Sequence, residues 1–174
     1  MRLSESFYRL DALDAAPALV GAILCRRTAE GTVLRGRITE TEIYRGEEDG
    51  ACHARSGRTK RTEMLYREGG FAYVYLVYGL HWLFNVITGP ADHPQGVLIR
   101  AMDAPLDGPA KWTRAFEVTG AHNGLYLPSS EEIWLEAGES VRVRAAARVG
   151  IGYAPEPWKS MPWRFILDEE NKEG

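Results

Sequence analysis

Five stretches of this chain, 33–44, 71–78, 83–88, 97–102 and 141–149, are rich in β-branched and aromatic residues and stop near Gly or Pro. Residues of those types fit a pleated, half-buried surface, so each run is read as a strand. What lies between the runs then decides the fold class. Parallel strands need a crossover of about a dozen residues or more, ordinarily a helix, between each pair. Here the order is one helix, several strands, two short helices and a strand, with no regular alternation. That order favours an α+β single domain, built on a mostly antiparallel sheet with short flanking helices, over a doubly wound fold.

Periodicity and caps place the helices. Leu13, Ala16, Leu19, Val20, Ile23 and Leu24 fall close to helical spacing, which predicts one amphipathic helix over 11–27 with Pro17 in an early turn. A second helix is read over 109–118, opening with Pro near its first position. A third is read over 130–136, with Ser130 as N-cap followed by Glu131 and Glu132. At 174 residues the chain fits one domain over 1–174, large enough to bury about two thirds of its unfolded surface. Its ends, 1–10 and 168–174, are expected to fray.

Composition narrows the class further. Hydrophobic residues at 45% and charged residues at 26% belong to a folded globular chain rather than a disordered one. No apolar run approaches the roughly 18 residues of a membrane span, and residues 1–12 lack the apolar centre of a signal peptide. The expected location is cytoplasmic, with nucleoid association in a bacterium. Cys25 and Cys52 form no CxxC pair and no disulfide framework. The net charge of −3 argues mildly against nucleic acid, yet Arg55, Arg58, Lys60, Arg61 and Arg67 stand against only Glu63 over 53–67. A solvated charged loop and a local phosphate-binding patch both fit that run.

Two strands carry residues with chemical potential. Alternation along ETEIY (40–44) puts Glu40, Glu42 and Tyr44 on one face. Strand acids are ordinarily solvated and a lone Tyr is ordinarily packing. The run 71–85 adds Tyr73 and Tyr75 on one face and Tyr78 on the other, just before Gly79. Such phenols are either the rim of a core or a platform for stacked bases. Cys52 and His53 are adjacent, but neighbours on an extended chain point apart and no further cluster supplies ligands, so no metal and no cofactor is expected.

The string ETEIYRGEEDGACHARSGRT (40–59), then YVYLVYG (73–79), Asn85 and GVLIRA (96–101), resembles the alkyladenine (3-methyladenine) DNA glycosylase family. The likeness continues through ARVGIG (147–152) and PWRF (162–165), covering about residues 15–166. The resemblance implies a single compact domain with a curved antiparallel sheet. It also implies a monomeric base-excision repair enzyme that flips a damaged purine from double-stranded DNA and hydrolyses its N-glycosidic bond without strand cleavage. By position Tyr78 is the intercalating wedge. Tyr44 and His53 stack on one side of the flipped base and Tyr75 on the other. The His53 amide donates to the base edge, and its side chain also touches the sugar–phosphate. Glu42 is the general base for water, Arg100 helps hold that water and a neighbouring phosphate, and their pairing keeps Glu42 ionised at neutral pH. Asn85 obstructs the exocyclic amine of guanine. Arg55, Arg58, Lys60 and Arg61 are the candidate contacts to the DNA backbone. The implied substrates are 3-methyladenine and 7-methylguanine, with hypoxanthine and ethenoadenine asking more of the protein.

The sequence departs from the family in RTKRT (58–62), where relatives commonly carry Pro and Asn at the places of Lys60 and Thr62. Bulky His81, Trp82 and Phe84 beside Asn85 are expected to narrow the slot. Two other functions compete: a non-catalytic module for damaged or single-stranded DNA, and an enzyme for a small formylated or nucleoside substrate. The first has no use for a carboxylate facing the aromatic slot, and the second predicts salt-insensitive binding.

Overall fold

The computed structural model describes residues 1–169. Along the chain run α1 (Glu5–Tyr8), α2 (Ala12–Leu19), β1 (Ile23–Arg27), β2 (Val33–Arg45), β3 (Ala72–Val77), β4 (His81–Ile87), β5 (Gln95–Met102), α3 (Pro109–Ala115), β6 (Ile133–Glu136), β7 (Val143–Ala146) and β8 (Arg164–Leu167). Short 3₁₀ turns lie at His53–Ser56, Glu63–Tyr66 and Gly120–His122. The strands join in the order β3-β4-β5-β2-β1-β6, with β8 on β2 and β7 on β8. Each of these pairings is antiparallel, giving the α+β class expected from the strand runs.

β2 organises the sheet. Its first residues pair with β1, and its later ones pair with β5 and β8. The β5 register shifts on both sides of Glu40, and such irregularities bend a strand and increase its twist. The curl that results wraps the sheet around one side of the molecule.

Alternation divides β4 and β5 between two tasks. Phe84 and Val86 on β4, with Val97 and Ile99 on β5, enter the core, where Phe84 meets Trp112 of α3 edge-on at 5.6 Å. Ala12, Ala15, Ala16 and Leu19 of α2 are buried in the same core. The intervening residues His81, Leu83, Asn85, Leu98 and Arg100 line a pocket on the opposite face. Trp82 and Phe84 therefore do not narrow the slot as expected: Phe84 is fully buried and Trp82 packs on the core beside Gly120.

Several expected elements change type. The helix expected over 11–27 ends at Leu19, because Gly21 takes a left-handed φ of 93° and the chain leaves as β1. Ile23 and Leu24 satisfy both periods, which concealed the break. Pro17 sits in the last turn of α2, not an early one. Within 130–136 the regular element is a strand, β6 (Ile133–Glu136), paired with β1. Ser130 does accept from the N–H groups of Glu132 and Ile133 at 3.1 Å each, so the cap signal was real but no helix follows it. Residues 1–10, expected to fray, pack instead: Tyr8 is fully buried and the Leu3 N–H donates to Leu135 at 2.8 Å. At the other end, the Asp168 N–H donates to Arg142 at 2.9 Å, and the rest of the expected frayed tail, from 170 onward, lies outside the described residues.

Candidate active site

The pocket on the open face of the sheet has a volume of about 590 Å³ and is lined by Tyr44, His53, Tyr75, Tyr78, Asn85 and Arg100, among others. Residues separated by more than fifty positions in sequence thus converge. β2, β3, β4 and β5 supply the floor, and the 3₁₀ turn at His53–Ser56 supplies a wall.

Glu42 lies fully buried beneath this pocket. Its Oε1 accepts from Arg100 Nη1 and from the Tyr44 hydroxyl, each at 3.3 Å, and its Oε2 accepts from the Val149 N–H at 2.7 Å. Burial pushes the Glu42 carboxyl above the ordinary carboxylate range. The Arg100 charge and the Val149 N–H oppose that rise, while the negative charge of Glu40 adds to it. Arg100 thus restrains the shift without cancelling it.

The rings of His53 and Tyr75 are in edge-to-face contact at 4.6 Å, with no base-wide gap between them, and Tyr44 is the remaining ring of the predicted set. His53 Nδ1 shares a 2.9 Å hydrogen bond with the Tyr73 hydroxyl. Burial, with the charges of Arg61 and Arg55, pushes the His53 imidazole down to about 4, so the ring is neutral at physiological pH. Asn85 is buried, with Nδ2 donating to the Tyr73 carbonyl at 3.2 Å.

Tyr78 stands apart at the tip of the β3–β4 hairpin, 93% exposed. Tyr78 and Gly79 take left-handed φ values of 52° and 64°, and the Leu80 N–H closes the turn on Val77 at 3.0 Å. Two successive positive φ values suit the right-handed twist of a hairpin, but a non-glycine residue bears strain there. The most exposed aromatic of the candidate site thus sits on a strained turn.

The four basic candidates separate. Arg58 is paired with Glu63 and Asp92, each at 2.8 Å, and covers the Tyr66 ring, so its charge is already compensated. Arg55 lies over Tyr153 at 5.0 Å while donating to the Gly50 carbonyl. Arg61 lines the pocket, and Lys60 is exposed beside it. The departure at 58–62 has its own solution: the Thr62 hydroxyl, bonded to Thr59 N–H at 2.8 Å and the Gly57 carbonyl at 2.9 Å, closes the turn.

Sequence reasoning missed three neighbours. The Val149 amide has no side-chain signature. Tyr153, at the pocket rim, lies outside any strand. Arg148 forms a fully buried, two-bonded pair with Asp49 and lies 5.0 Å behind the Tyr44 ring; it appeared only within the string ARVGIG.

Among the described residues no helix is long and apolar enough to cross a membrane. The family model for methylpurine-DNA glycosylase matches residues 6–171. A protein of Clostridium botulinum named "Putative 3-methyladenine DNA glycosylase" is 40% identical, covering 99% of this chain and 98% of the relative. Proteins of the same name from Clostridium beijerinckii and Anaeromyxobacter dehalogenans are 38% and 40% identical over 97% and 96% of this chain, and 96% and 84% of their own lengths. With the match running almost end to end and the pocket built from the residues that carry the resemblance, the chain belongs to the methylpurine-DNA glycosylase family.

Proposed function

We propose that this chain flips an alkylated purine, such as 3-methyladenine or 7-methylguanine, out of duplex DNA and hydrolyses its N-glycosidic bond with a water activated by Glu42. The observation that carries this reading is the setting of Glu42. A carboxylate offers about four lone-pair positions; the Arg100, Tyr44 and Val149 donors take three. The position left on Oε2 accepts from a water, which Glu42 orients and deprotonates for attack on C1′. The same negative charge stabilises the oxocarbenium character that develops on the sugar.

In this reading the base lies between Tyr44 and the wall formed by His53 and Tyr75. Purines methylated at N3 or N7 are cationic, and aromatic faces favour them by about 0.5–2 kcal/mol over neutral bases. A neutral His53 belongs to such a slot, whereas an imidazolium would repel the substrate. Asn85 stands where an exocyclic amine would need room, which disfavours guanine; 7-methylguanine carries the same amine but offsets it with a cationic base that leaves readily. Tyr78 fills the gap left in the duplex, and its ring replaces part of the lost stacking. Arg55, Lys60 and Arg61 remain as phosphate contacts. A binding module would gain nothing from burying a carboxylate under its base slot at the cost of desolvation.

Single-turnover release of 7-methylguanine from a defined duplex tests the reading. Glu42→Gln is expected to slow release by about 10²-fold or more, with duplex affinity retained. Because the folded-state pKa of Glu42 is raised, its ionisation opposes folding, and the stability held by the protonated form is lost as pH rises through that pKa. The Gln variant should therefore melt no lower than the parent at pH 7. Excision at the parent rate would refute the mechanism.

A further inference from the structure

Arg100 does not face Glu42 alone. Its Nε lies 3.0 Å from Glu40 Oε2, while its Nη1 reaches Glu42 Oε1 at 3.3 Å. The second oxygen of Glu40 is 3.4 Å from Arg164 Nη1, and Arg164 Nε donates to the Ala147 carbonyl at 2.7 Å. Ala147 is two residues before Val149, whose N–H holds the other oxygen of Glu42. Glu40 is thus the joint between both groups that grip Glu42: directly to Arg100 on β5, and through Arg164 on β8 to the segment that carries Val149.

We propose that Glu40 is a positioning residue for base excision, fixing Arg100 and the 147–149 segment in the geometry that orients Glu42. The proposal rests on the reading of Glu42 as general base. An arginine held by one partner still swings about its long stem, and a second charge-assisted bond at Nε removes that freedom before substrate arrives. Glu40 also places a second negative charge near a buried carboxylate, which makes ionising Glu42 harder. A residue with that electrostatic cost brings orientation in return. The register shifts of β2 on both sides of Glu40 fall at this residue, where a bulge re-aims side chains.

Glu40→Gln keeps length and shape and removes the charge. Release of 7-methylguanine in single turnover should slow about tenfold, the loss of roughly 1.4 kcal/mol of transition-state stabilisation. Duplex affinity should stay within about twofold, since substrate binding does not pass through Glu40. In the Arg100→Gln background the same change should cost clearly less than tenfold, because the share of its loss that runs through Arg100 is already taken and only the share through Arg164 and the 147–149 segment is left. Parent-rate release by Glu40→Gln, or losses that multiply in the double variant, would overturn the proposal, as would a fall in affinity that accounts for the whole rate loss. Glu42→Gln measured alongside separates the two ideas. If it is inactive and Glu40→Gln is not impaired, only the role of Glu40 falls; if it remains active, the general-base reading falls and Glu40 with it.

Discussion

A general base must be ionised to work, and Glu42, proposed for that role, is placed where ionisation is costly. Burial raises its pKa while Arg100 restrains the rise, so the active carboxylate is lost, as pH falls, at a higher pH than a solvated glutamate would show. The acidic limb of the single-turnover rate should therefore lie above the ordinary carboxylate range. Arg100→Gln should move it further up by removing the largest opposing charge, and a limb that stays put or moves down would contradict the assignment. His53, depressed to about 4, protonates on the far acidic side and leaves this limb to Glu42. At this scale Glu42, Tyr44 and Tyr75 were legible because chemistry and strand alternation both marked them. The Val149 N–H was not, since any residue type supplies a backbone donor. Nor was the partnership of His53 with Tyr75, because a side chain on a 3₁₀ turn follows no period that aims it at a strand.

Among the elements, the β3–β4 hairpin combines strain and exposure at one residue. Tyr78 packs against almost nothing, so truncating it removes little burial, while its left-handed backbone costs an ordinary residue about 1–2 kcal/mol. Asn tolerates that conformation. Tyr78→Asn should raise stability by about 1 kcal/mol, seen as a higher melting temperature, and at the same time slow excision by weakening the flipped state. A variant that loses stability would place the ring in the fold's packing rather than in DNA. The core strands 33–44, 71–78, 83–88 and 97–102 emerged from the sequence nearly intact, because their β-branched and aromatic residues recur at the strand period and Gly or Pro stands near their ends. β1 and β6 did not. Each is short, five and four residues, and its three leading apolar residues (Ile-Leu-Cys and Ile-Trp-Leu) serve a helix as well as a strand, so only the pairing of β1 with β6 and with β2 settles the matter.

For the molecule as a whole, a chain of net charge −3 must engage a polyanion through a small set of local cations. With Arg58 neutralised by two acids, Arg55, Lys60 and Arg61 remain. Three phosphate contacts give a slope of log affinity against log salt near roughly −2.7, and removing any one should make it shallower by about 1. Arg58→Ala should leave the slope unchanged, and a salt-independent affinity would argue for a small substrate in place of DNA. The sequence exposed the basic run but not its division, since the acids that neutralise Arg58 include Asp92, thirty-four residues away.

On β4, pocket-lining residues and core residues occupy alternate positions of the same seven-residue strand. A one-residue insertion there would exchange them, sending Trp82, Phe84 and Val86 toward the pocket and Asn85 into the oil. The lesion range of such a protein can drift only by replacing one side chain with another at fixed length, while its length can vary freely only where the chain leaves the sheet. Diversity of substrate and diversity of size are thereby assigned to different parts of the same polypeptide.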